Sequence, residues 1–296
     1  MQRVISTMVS LEVVMGLKNM SIPGICKIAK TNSSIVGHIY SIYPGPGINQ
    51  LYSALTIYLR VNIHWLNMDT KTALAGKAFG LIKNNQVVGL GASSTMPCLI
   101  ENLLAAIKNG LQVQLLTSSF VTQELLLEKG LRVYPIQGYD TIDIYFDGCD
   151  QFDKDLNAVK SGGGIHTREK LLASMAKQFV LLGDQTKYID RFDPKFPLVL
   201  EVLPEAFRYV QEKIKTQFPG VETTIRISDK KIGPALTDNG NYLVDCWFAQ
   251  WPAAANIQQT AKAITGVVET SLFYQLAHLA LMAVEGDIDV IERPGK

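Results

Sequence analysis

Four side chains that could carry acid–base chemistry lie close together in the sequence. Asp147 and Asp150 belong to an Asp-Gly-Cys-Asp segment, and Lys160 precedes a run of three glycines. Glu169 follows in the first turn of a predicted helix. Fixed carboxylates can hold hydroxyl groups, a glycine run lets backbone N–H groups approach a ligand, and a glutamate can move a proton. The stretch therefore indicates a catalytic site.

Each of these residues also has an ordinary structural interpretation. Asp-Gly is a common turn pair, a glycine run can be a flexible linker, and a first-turn glutamate complements the helix dipole. The position of Asp147 favours the functional interpretation. Asp147 follows a predicted buried strand, and ligands of open α/β sheets bind at the carboxyl ends of strands. The acids have no calcium-loop spacing and no histidine at ligand spacing, so we expect no metal.

A second candidate binding segment joins a predicted strand to a predicted helix. Ser93, Ser94 and Thr95, with the backbone N–H groups of a helix start, could bind phosphate, although helix capping explains the same residue types. The segment has neither the GxGxxG dinucleotide pattern nor the lysine of a P-loop. Lys187 follows another predicted strand and could also reach a phosphate.

The elements that must position these residues alternate between strand and helix. Periodicity predicts strands over 86–90, 113–117, 142–146 and 179–182, with helices over 73–82, 94–108 and 121–129 and a further helix from about residue 167. Short apolar strands separated by helices predict a mainly parallel, Rossmann-like sheet covered on both faces.

The pattern changes after Pro197. Strands are predicted over 198–203, 223–227 and 242–248, with helices over 204–218 and 255–264. This order is typical of a small α+β domain of the split βαβ, ferredoxin-like kind. We therefore expect an α/β fold class with three parts. They are an N-terminal extension of unknown structure (1–69), a Rossmann-like catalytic domain (70–197 plus 266–296) and a small α+β domain (198–265).

Composition restricts the class of protein and its surroundings. Of the 296 residues, 47% are hydrophobic and 19% charged, which argues against general disorder. The net charge of +1 leaves no footprint for nucleic acid. The four cysteines show no CxxC spacing, which favours a cytoplasmic protein with free thiols and argues against zinc.

The extension, residues 1–69, is harder to interpret. Glu12 interrupts its first apolar run, which makes a poor signal peptide, and polar residues break the apolar stretch 35–65 before it could span a membrane. We expect no membrane partner. A membrane-surface segment and a translation start at Met68 stay open as alternatives.

Together, these motifs resemble the type A ribose-5-phosphate isomerases over about residues 71–286. The resemblance implies a Rossmann-like domain with a smaller α+β domain, assembled as a homodimer or homotetramer, and no metal or organic cofactor. It implies an aldose–ketose isomerase of the non-oxidative pentose phosphate pathway, which interconverts D-ribose 5-phosphate and D-ribulose 5-phosphate through an enediolate. The matching motifs are Val88-Gly89-Leu90-Gly91 with Ser94-Thr95, Asp147-Gly148-Cys149-Asp150, Lys160 with the glycines, Thr167-Arg168-Glu169-Lys170, Lys187, residues 195–204, 237–241 and 266–269.

The same resemblance implies a role for each matched position. Glu169 is the base that moves the proton between C2 and C1, Asp147 assists ring opening, and Asp150 holds sugar hydroxyls. Lys160 stabilises the enediolate oxygen. The backbone N–H groups of the glycine loop, at Gly162 and Gly163, share that role with Lys160. Ser93, Ser94 and Thr95 hold the phosphate, and Lys187 contacts the substrate.

Three departures from the family pattern keep other functions open. The phosphate loop reads Gly-Ala-Ser-Ser-Thr instead of Gly-Thr-Gly-Ser-Thr, with Ala92 and Ser93 as the changed residues. Gln151 replaces a glutamate, and Ser161 replaces a glycine. The alternatives are a related sugar phosphate as the substrate, a sugar-phosphate-sensing protein without catalysis, and acyl-CoA transfer on a similar α/β fold.

Overall fold

The computed structural model describes residues 70–229, 232–284 and 286–294. All of them belong to one compact unit of the chain, His64–Lys296. The predicted extension, with its alternatives of a signal peptide, a membrane-surface segment and a later start, lies outside the described residues. Among the described residues, no helix is long and apolar enough to cross a membrane.

The described residues form helices and strands in the predicted alternation. The helices are α1 (70–79), α2 (Met96–Lys108), α3 (Phe120–Glu128), α4 (His166–Met175), α5 (Phe207–Gln217) and α6 (Ala254–Thr260). The strands are β1 (Gln86–Leu90), β2 (Val113–Thr117), β3 (Ile142–Gly148), β4 (Gln151–Phe152), β5 (Ala158–Val159), β6 (Ala176–Asp184), β7 (Leu198–Val202), β8 (Glu222–Ile225), β9 (Tyr242–Trp247), β10 (Val267–Thr270), β11 (Leu272–Phe273), β12 (Leu279–Val284) and β13 (Asp287–Glu292).

A six-stranded sheet with the order β13-β12-β6-β3-β1-β2 carries the larger part of the fold. All neighbouring strands in it are parallel except β12 and β13. Its central strand β3 is buried on both faces, because Ile144 and Phe146 belong to one core cluster and Tyr145 to the other. This confirms the predicted α/β fold class with a mainly parallel sheet.

Strand β3 continues two residues further than its sequence predicts. Asp147 and Gly148 still pair with Leu181 and Leu182 of β6, so the aspartate belongs to the strand and not to a turn. The local sequence reads as an Asp-Gly turn, but pairing with a neighbouring strand overrides that preference. The carboxylate is thereby fixed at the carboxyl end of the central strand.

The smaller sheet has the order β10-β7-β9-β8 and is antiparallel throughout. With α5 between β7 and β8 and α6 between β9 and β10, it completes the β-α-β-β-α-β pattern of a ferredoxin-like unit. The sequence predicts that the chain returns to the larger domain at residue 266. In the structure β10 pairs with β7, and the chain enters the large sheet only at β12. Pairing partners distant in sequence leave no local signal, which explains the difference.

A short sheet with the order β11-β5-β4 lies between these two parts of the chain. It fixes the segment that follows Asp147, because the Asp150 N–H donates to the Val159 carbonyl at 2.9 Å. The Lys160 N–H donates to the Ser271 carbonyl at 3.0 Å. Backbone pairing therefore sets the positions of both candidate side chains.

Glu201 of β7 links the smaller sheet to the start of α4. Its fully buried carboxylate accepts hydrogen bonds from the Thr237 hydroxyl at 3.0 Å and from the Asn239 and Asn241 amides at 2.9 and 2.7 Å. The Thr167 hydroxyl of α4 is a fourth donor. Burial opposes ionisation, but these hydrogen bonds outweigh it and lower the pKa of Glu201 below its ordinary value.

We expect Glu201→Ala to lower the free energy of unfolding by about 3 kcal/mol or more, because each buried donor left without an acceptor costs about 1–3 kcal/mol. The measurement is urea unfolding followed by circular dichroism. Glu205→Ala removes an exposed glutamate from the turn after β7 and is the matched control, with a change of less than about 0.5 kcal/mol. Equal midpoints for the two variants would contradict the structural role of Glu201.

Candidate active site

Three of the predicted catalytic side chains meet in one buried cluster. The Lys160 Nζ lies 3.0 Å from the Asp147 Oδ2 and 3.3 Å from the Glu169 Oε1. The three side chains are only 7%, 0% and 6% exposed, respectively. The ring of Phe273 lies under the ammonium, with its centroid 5.9 Å from the Nζ. The structure thus brings together an acid, a cation and a second acid that are 13 and 9 residues apart along the chain.

Asp147 is held from all sides. Its Oδ1 accepts from the Ala92 and Gly148 N–H groups at 3.0 and 2.8 Å, and its Oδ2 accepts from the Tyr145 hydroxyl at 2.6 Å as well as from Lys160. Such a carboxylate cannot turn away from the ammonium. In this geometry Asp147 favours the charged form of Lys160.

Burial and neighbouring charges set the protonation of the cluster. Burial opposes the charge of Lys160, but the carboxylates of Asp147 and Glu169 outweigh it and raise the pKa of the ammonium above its usual value. Burial also raises the pKa of Glu169 to about 8, against the opposing effect of Lys160. A carboxylate with a pKa near neutral is suited to accept and return a proton at physiological pH.

Asp150 lies apart from this cluster and holds the glycine loop. Its Oδ2 accepts from the N–H groups of Ser161 at 2.5 Å and Gly162 at 3.3 Å. Gly162 and Gly163 are exposed, so their backbone is open to a ligand. The Ser161 hydroxyl donates to the Pro197 carbonyl at 2.5 Å.

The predicted phosphate loop borders the same cluster. Ser93 lies against the strand end that carries Asp147, because its Cβ is 2.7 Å from the place where a Cβ on Gly148 would lie. The Ser93 hydroxyl accepts from the Thr95 N–H at 3.2 Å, and Ser94 is exposed. Helix α2 starts at Met96, which makes Thr95 its N-cap residue. The loop thus presents hydroxyl groups at a helix start, the arrangement that suits an anion.

Lys187 and Cys149 complete the surroundings of the strand ends. Lys187 belongs to the turn after β6 (Gln185–Lys187) and is partly buried, with its Cδ 3.4 Å from the place where a Cβ on Gly183 would lie. Burial raises the pKa of the Cys149 thiol to about 12, although Lys187 and Lys160 oppose the shift. Burial and a raised pKa both make this thiol a poor nucleophile.

The support that two residues give Asp147 was not predicted from the sequence. Tyr145 donates to Asp147 and lies 3.2 Å from the Ser118 hydroxyl. Its place two residues earlier on the same strand puts it on the same face, which was a usable signal. Gly91 is the other, because a Cβ at this position would lie 2.1–2.5 Å from the Asp147 carboxylate atoms. Within the described ranges, no group of three or more His, Cys, Asp or Glu could hold a metal ion.

Comparison with known proteins places this site in a family. The family model for ribose 5-phosphate isomerase A (phosphoriboisomerase A) matches residues 114–287. Ribose-5-phosphate isomerase A of Prochlorococcus marinus is 35% identical over 230 residues, which cover 76% of this chain and 96% of the relative. The human ribose-5-phosphate isomerase is 32% identical over 227 residues, which cover 75% of this chain and 73% of the relative.

Solved structures agree with the sequence matches. Ribose 5-phosphate isomerase A of Methanocaldococcus jannaschii aligns with a TM-score of 0.70 and 33% identity, covering 76% of this chain and 99% of that structure. A D-ribose-5-phosphate isomerase solved in complex with phospho-erythronic acid aligns with a TM-score of 0.71 and 28% identity, covering 76% of this chain and 99% of that structure.

We expect Gly91→Ala to lower the free energy of unfolding by about 1–3 kcal/mol, because the new methyl group would overlap the buried Asp147 carboxylate. Gly76→Ala is the matched control, since Gly76 lies in α1 with nothing near its Cβ position. An exposed helical glycine replaced by alanine should gain roughly 0.5–1 kcal/mol. Urea unfolding measures both changes. A gain or no change for Gly91→Ala would contradict the close approach.

Proposed function

The chain belongs to the ribose 5-phosphate isomerase A family, and we propose that it interconverts D-ribose 5-phosphate and D-ribulose 5-phosphate with Glu169 as the base. The observation that carries the assignment of roles is the buried contact of Lys160 with both Asp147 and Glu169. The Lys160 ammonium and a carboxylate whose pKa is raised to about 8 lie side by side near the carboxyl end of the central strand. Such a pair is suited to forming and quenching an enediolate.

The reaction moves one proton between two neighbouring carbons. The ionised Glu169 takes the proton from C2 of the open-chain aldose, and the electron pair left behind forms the C1–C2 double bond while negative charge moves to the carbonyl oxygen. Lys160 lies 3.3 Å from the base and stabilises that charge. After the hydroxyl proton moves from O2 to O1, Glu169 returns its proton to C1 and the ketose forms. The chain itself is unchanged at the end.

The other predicted residues bind and orient the sugar phosphate in this proposal. The Gly163 N–H of the exposed glycine loop would face the enediolate oxygen, whereas the Gly162 N–H is bonded to Asp150. Asp150 would also accept hydrogen bonds from sugar hydroxyls. The hydroxyls of residues 93–95 and the Lys187 ammonium would bind the phosphate. The full burial of Asp147 supports a role in holding Lys160. Its direct help in ring opening stays a prediction.

The departures from the family pattern are accommodated without changing the catalytic cluster. Gln151 is buried and accepts from the Asp193 N–H at 2.8 Å, so its side chain supports a neighbouring loop. The exposed Ala92 uses its N–H, not its side chain, to hold Asp147. These contacts support catalysis over sugar-phosphate sensing without turnover, and nothing in them favours acyl-CoA transfer. Preference for a related sugar phosphate stays an alternative.

The setting of the reaction is part of the same proposal. Family membership supports a place in the non-oxidative pentose phosphate pathway. It also supports a cytoplasmic homodimer or homotetramer that needs no cofactor. These features would be checked by sizing the purified chain and by assaying turnover with and without a chelator.

We expect Glu169→Gln to lower kcat by about 10²–10⁴-fold, which is the usual contribution of a general base. The KM for ribose 5-phosphate should change little, because the amide keeps the shape of the side chain. The assay is ribulose 5-phosphate formation in the presence of EDTA. Glu205→Gln changes an exposed glutamate and should retain full activity. Near-normal turnover of Glu169→Gln would remove Glu169 from the mechanism.

We also expect kcat/KM to rise with pH through the pKa of Glu169, which burial raises to about 8. The sign follows from the chemistry, because only the ionised carboxylate accepts a proton and its fraction grows as pH increases. The measurement is the initial rate at low substrate across neutral and mildly alkaline pH. An activity limb at pH 4–5, where an ordinary exposed carboxyl titrates, would contradict the buried environment of the base.

A further inference from the structure

A guanidinium group from the smaller sheet reaches the glycine loop beside Lys160. Arg226 directly follows β8, and it donates from Nη1 to the Gly162 carbonyl at 3.1 Å and from Nη2 to the Ser161 carbonyl at 2.9 Å. Asp245 of β9 accepts from the same group, at 3.1 Å from Nε and 2.6 Å from Nη2. A bidentate pair of this kind holds the planar guanidinium in one orientation.

The two contacts with carbonyl groups fix two consecutive peptide planes. In a trans peptide, the carbonyl oxygen of one residue and the N–H of the next point in opposite directions. The peptide that joins Ser161 to Gly162 has its oxygen on Arg226 and its N–H on the Asp150 carboxylate, 3.3 Å away. The next peptide also has its oxygen on Arg226, so the Gly163 N–H points away from the guanidinium.

Asp150 holds the N–H side of the loop at Ser161 and Gly162, whereas Arg226 holds the carbonyl side of both peptides. Gly162 and Gly163 are exposed, and glycine allows many backbone conformations. A flipped peptide would direct a carbonyl oxygen, instead of an N–H, toward developing negative charge. The charge of Arg226 on the two carbonyl oxygens also polarises both peptides and strengthens their N–H groups as donors.

Resting on the proposed function, we propose that Arg226, held by Asp245, is a positioning residue for the isomerisation. It fixes the glycine loop so that the Gly163 N–H, on the side of its peptide opposite the guanidinium, faces the enediolate oxygen. Its side chain donates to the carbonyl oxygens of the loop and does not contact the reacting atoms, which Lys160 and Glu169 contact in the proposed reaction. An arrangement that binds the developing charge acts on the transition state more than on the sugar, so kcat depends on Arg226 more than KM does.

The test compares three variants of the full chain with one control. Arg226→Gln removes the guanidinium and its charge, and Arg226→Lys keeps the charge without the planar guanidinium. Asp245→Asn removes the carboxylate that holds the guanidinium in place. Arg208→Gln makes the same change on the exposed face of α5 and is the control. For each variant we would measure kcat and KM for ribose 5-phosphate, and the binding of phospho-erythronic acid by calorimetry. The carboxylate of that acid carries negative charge near the place where the enediolate carries it.

We expect Arg226→Gln to lower kcat by roughly 10- to 100-fold, which is somewhat less than the effect of removing a direct oxyanion donor. The affinity for phospho-erythronic acid should fall by a similar factor. KM should stay within about threefold, Arg226→Lys and Asp245→Asn should be intermediate, and Arg208→Gln should match the parent. The inference is overturned by kcat within about twofold of the parent in Arg226→Gln. It is also overturned if kcat falls while the affinity for phospho-erythronic acid does not change, because that result indicates only a smaller active fraction.

Two outcomes separate this inference from the proposed function. If the parent chain shows no turnover, the proposed function fails, and calorimetry with phospho-erythronic acid still decides whether Arg226 orders the loop. If Arg226→Gln does not fold, Arg226→Lys and Asp245→Asn carry the test, since each keeps one half of the ion pair. Parent-like kcat and parent-like affinity in both would then overturn the role of Arg226.

Discussion

The burial of one ammonium between two carboxylates is the constraint on which the rest of this structure depends. An isolated charge in a protein interior is strongly unfavourable, and a buried charge is tolerated only with partners in good geometry. Lys160 meets this condition through Asp147 and Glu169 together. Asp147 in turn needs the Ala92 and Gly148 N–H groups to fill its other oxygen. The strand end, the loop and the helix start must all be correctly placed for the charges to be satisfied.

The smaller sheet contributes to that placement from a distance. Two residues near Glu169 in α4 contact the smaller sheet. Thr167 donates to Glu201 of β7, and the Lys170 Nζ lies 2.9 Å from the Glu269 carboxylate of β10. Glu169 itself contacts Lys160. Arg226 holds the glycine loop in the same manner. The ferredoxin-like unit therefore acts as a support that orients the base and the loop, whereas the parallel sheet supplies Asp147.

Local sequence patterns predicted most of the elements, and the motifs contained the three residues that meet in the buried cluster. Patterns could not predict that the Lys160 ammonium touches both carboxylates, since that contact follows from the pairing of β5 with β11, more than 100 residues later. The contacts of Glu201 and Arg226 were missed for the same reason. The sequence interpretation placed β10 with the larger domain, whereas it pairs with β7, because a strand of four residues carries no mark of the sheet it joins. The contact of Tyr145 with Asp147 could have been predicted, because residues two apart on a strand lie on the same face of the sheet.

The account stands on Lys160 and Glu169 acting as one unit, and a double-mutant cycle on kcat tests this most directly. The variants are Lys160→Met, Glu169→Gln and the double variant, assayed with ribose 5-phosphate. Without Lys160, the buried Glu169 would stay protonated and could not act as a base. Replacing Glu169 as well should therefore lower kcat little further. The account predicts that kcat of the double variant stays close to that of the slower single variant. Losses that multiply in the double variant would show that the two side chains act independently, and would contradict it.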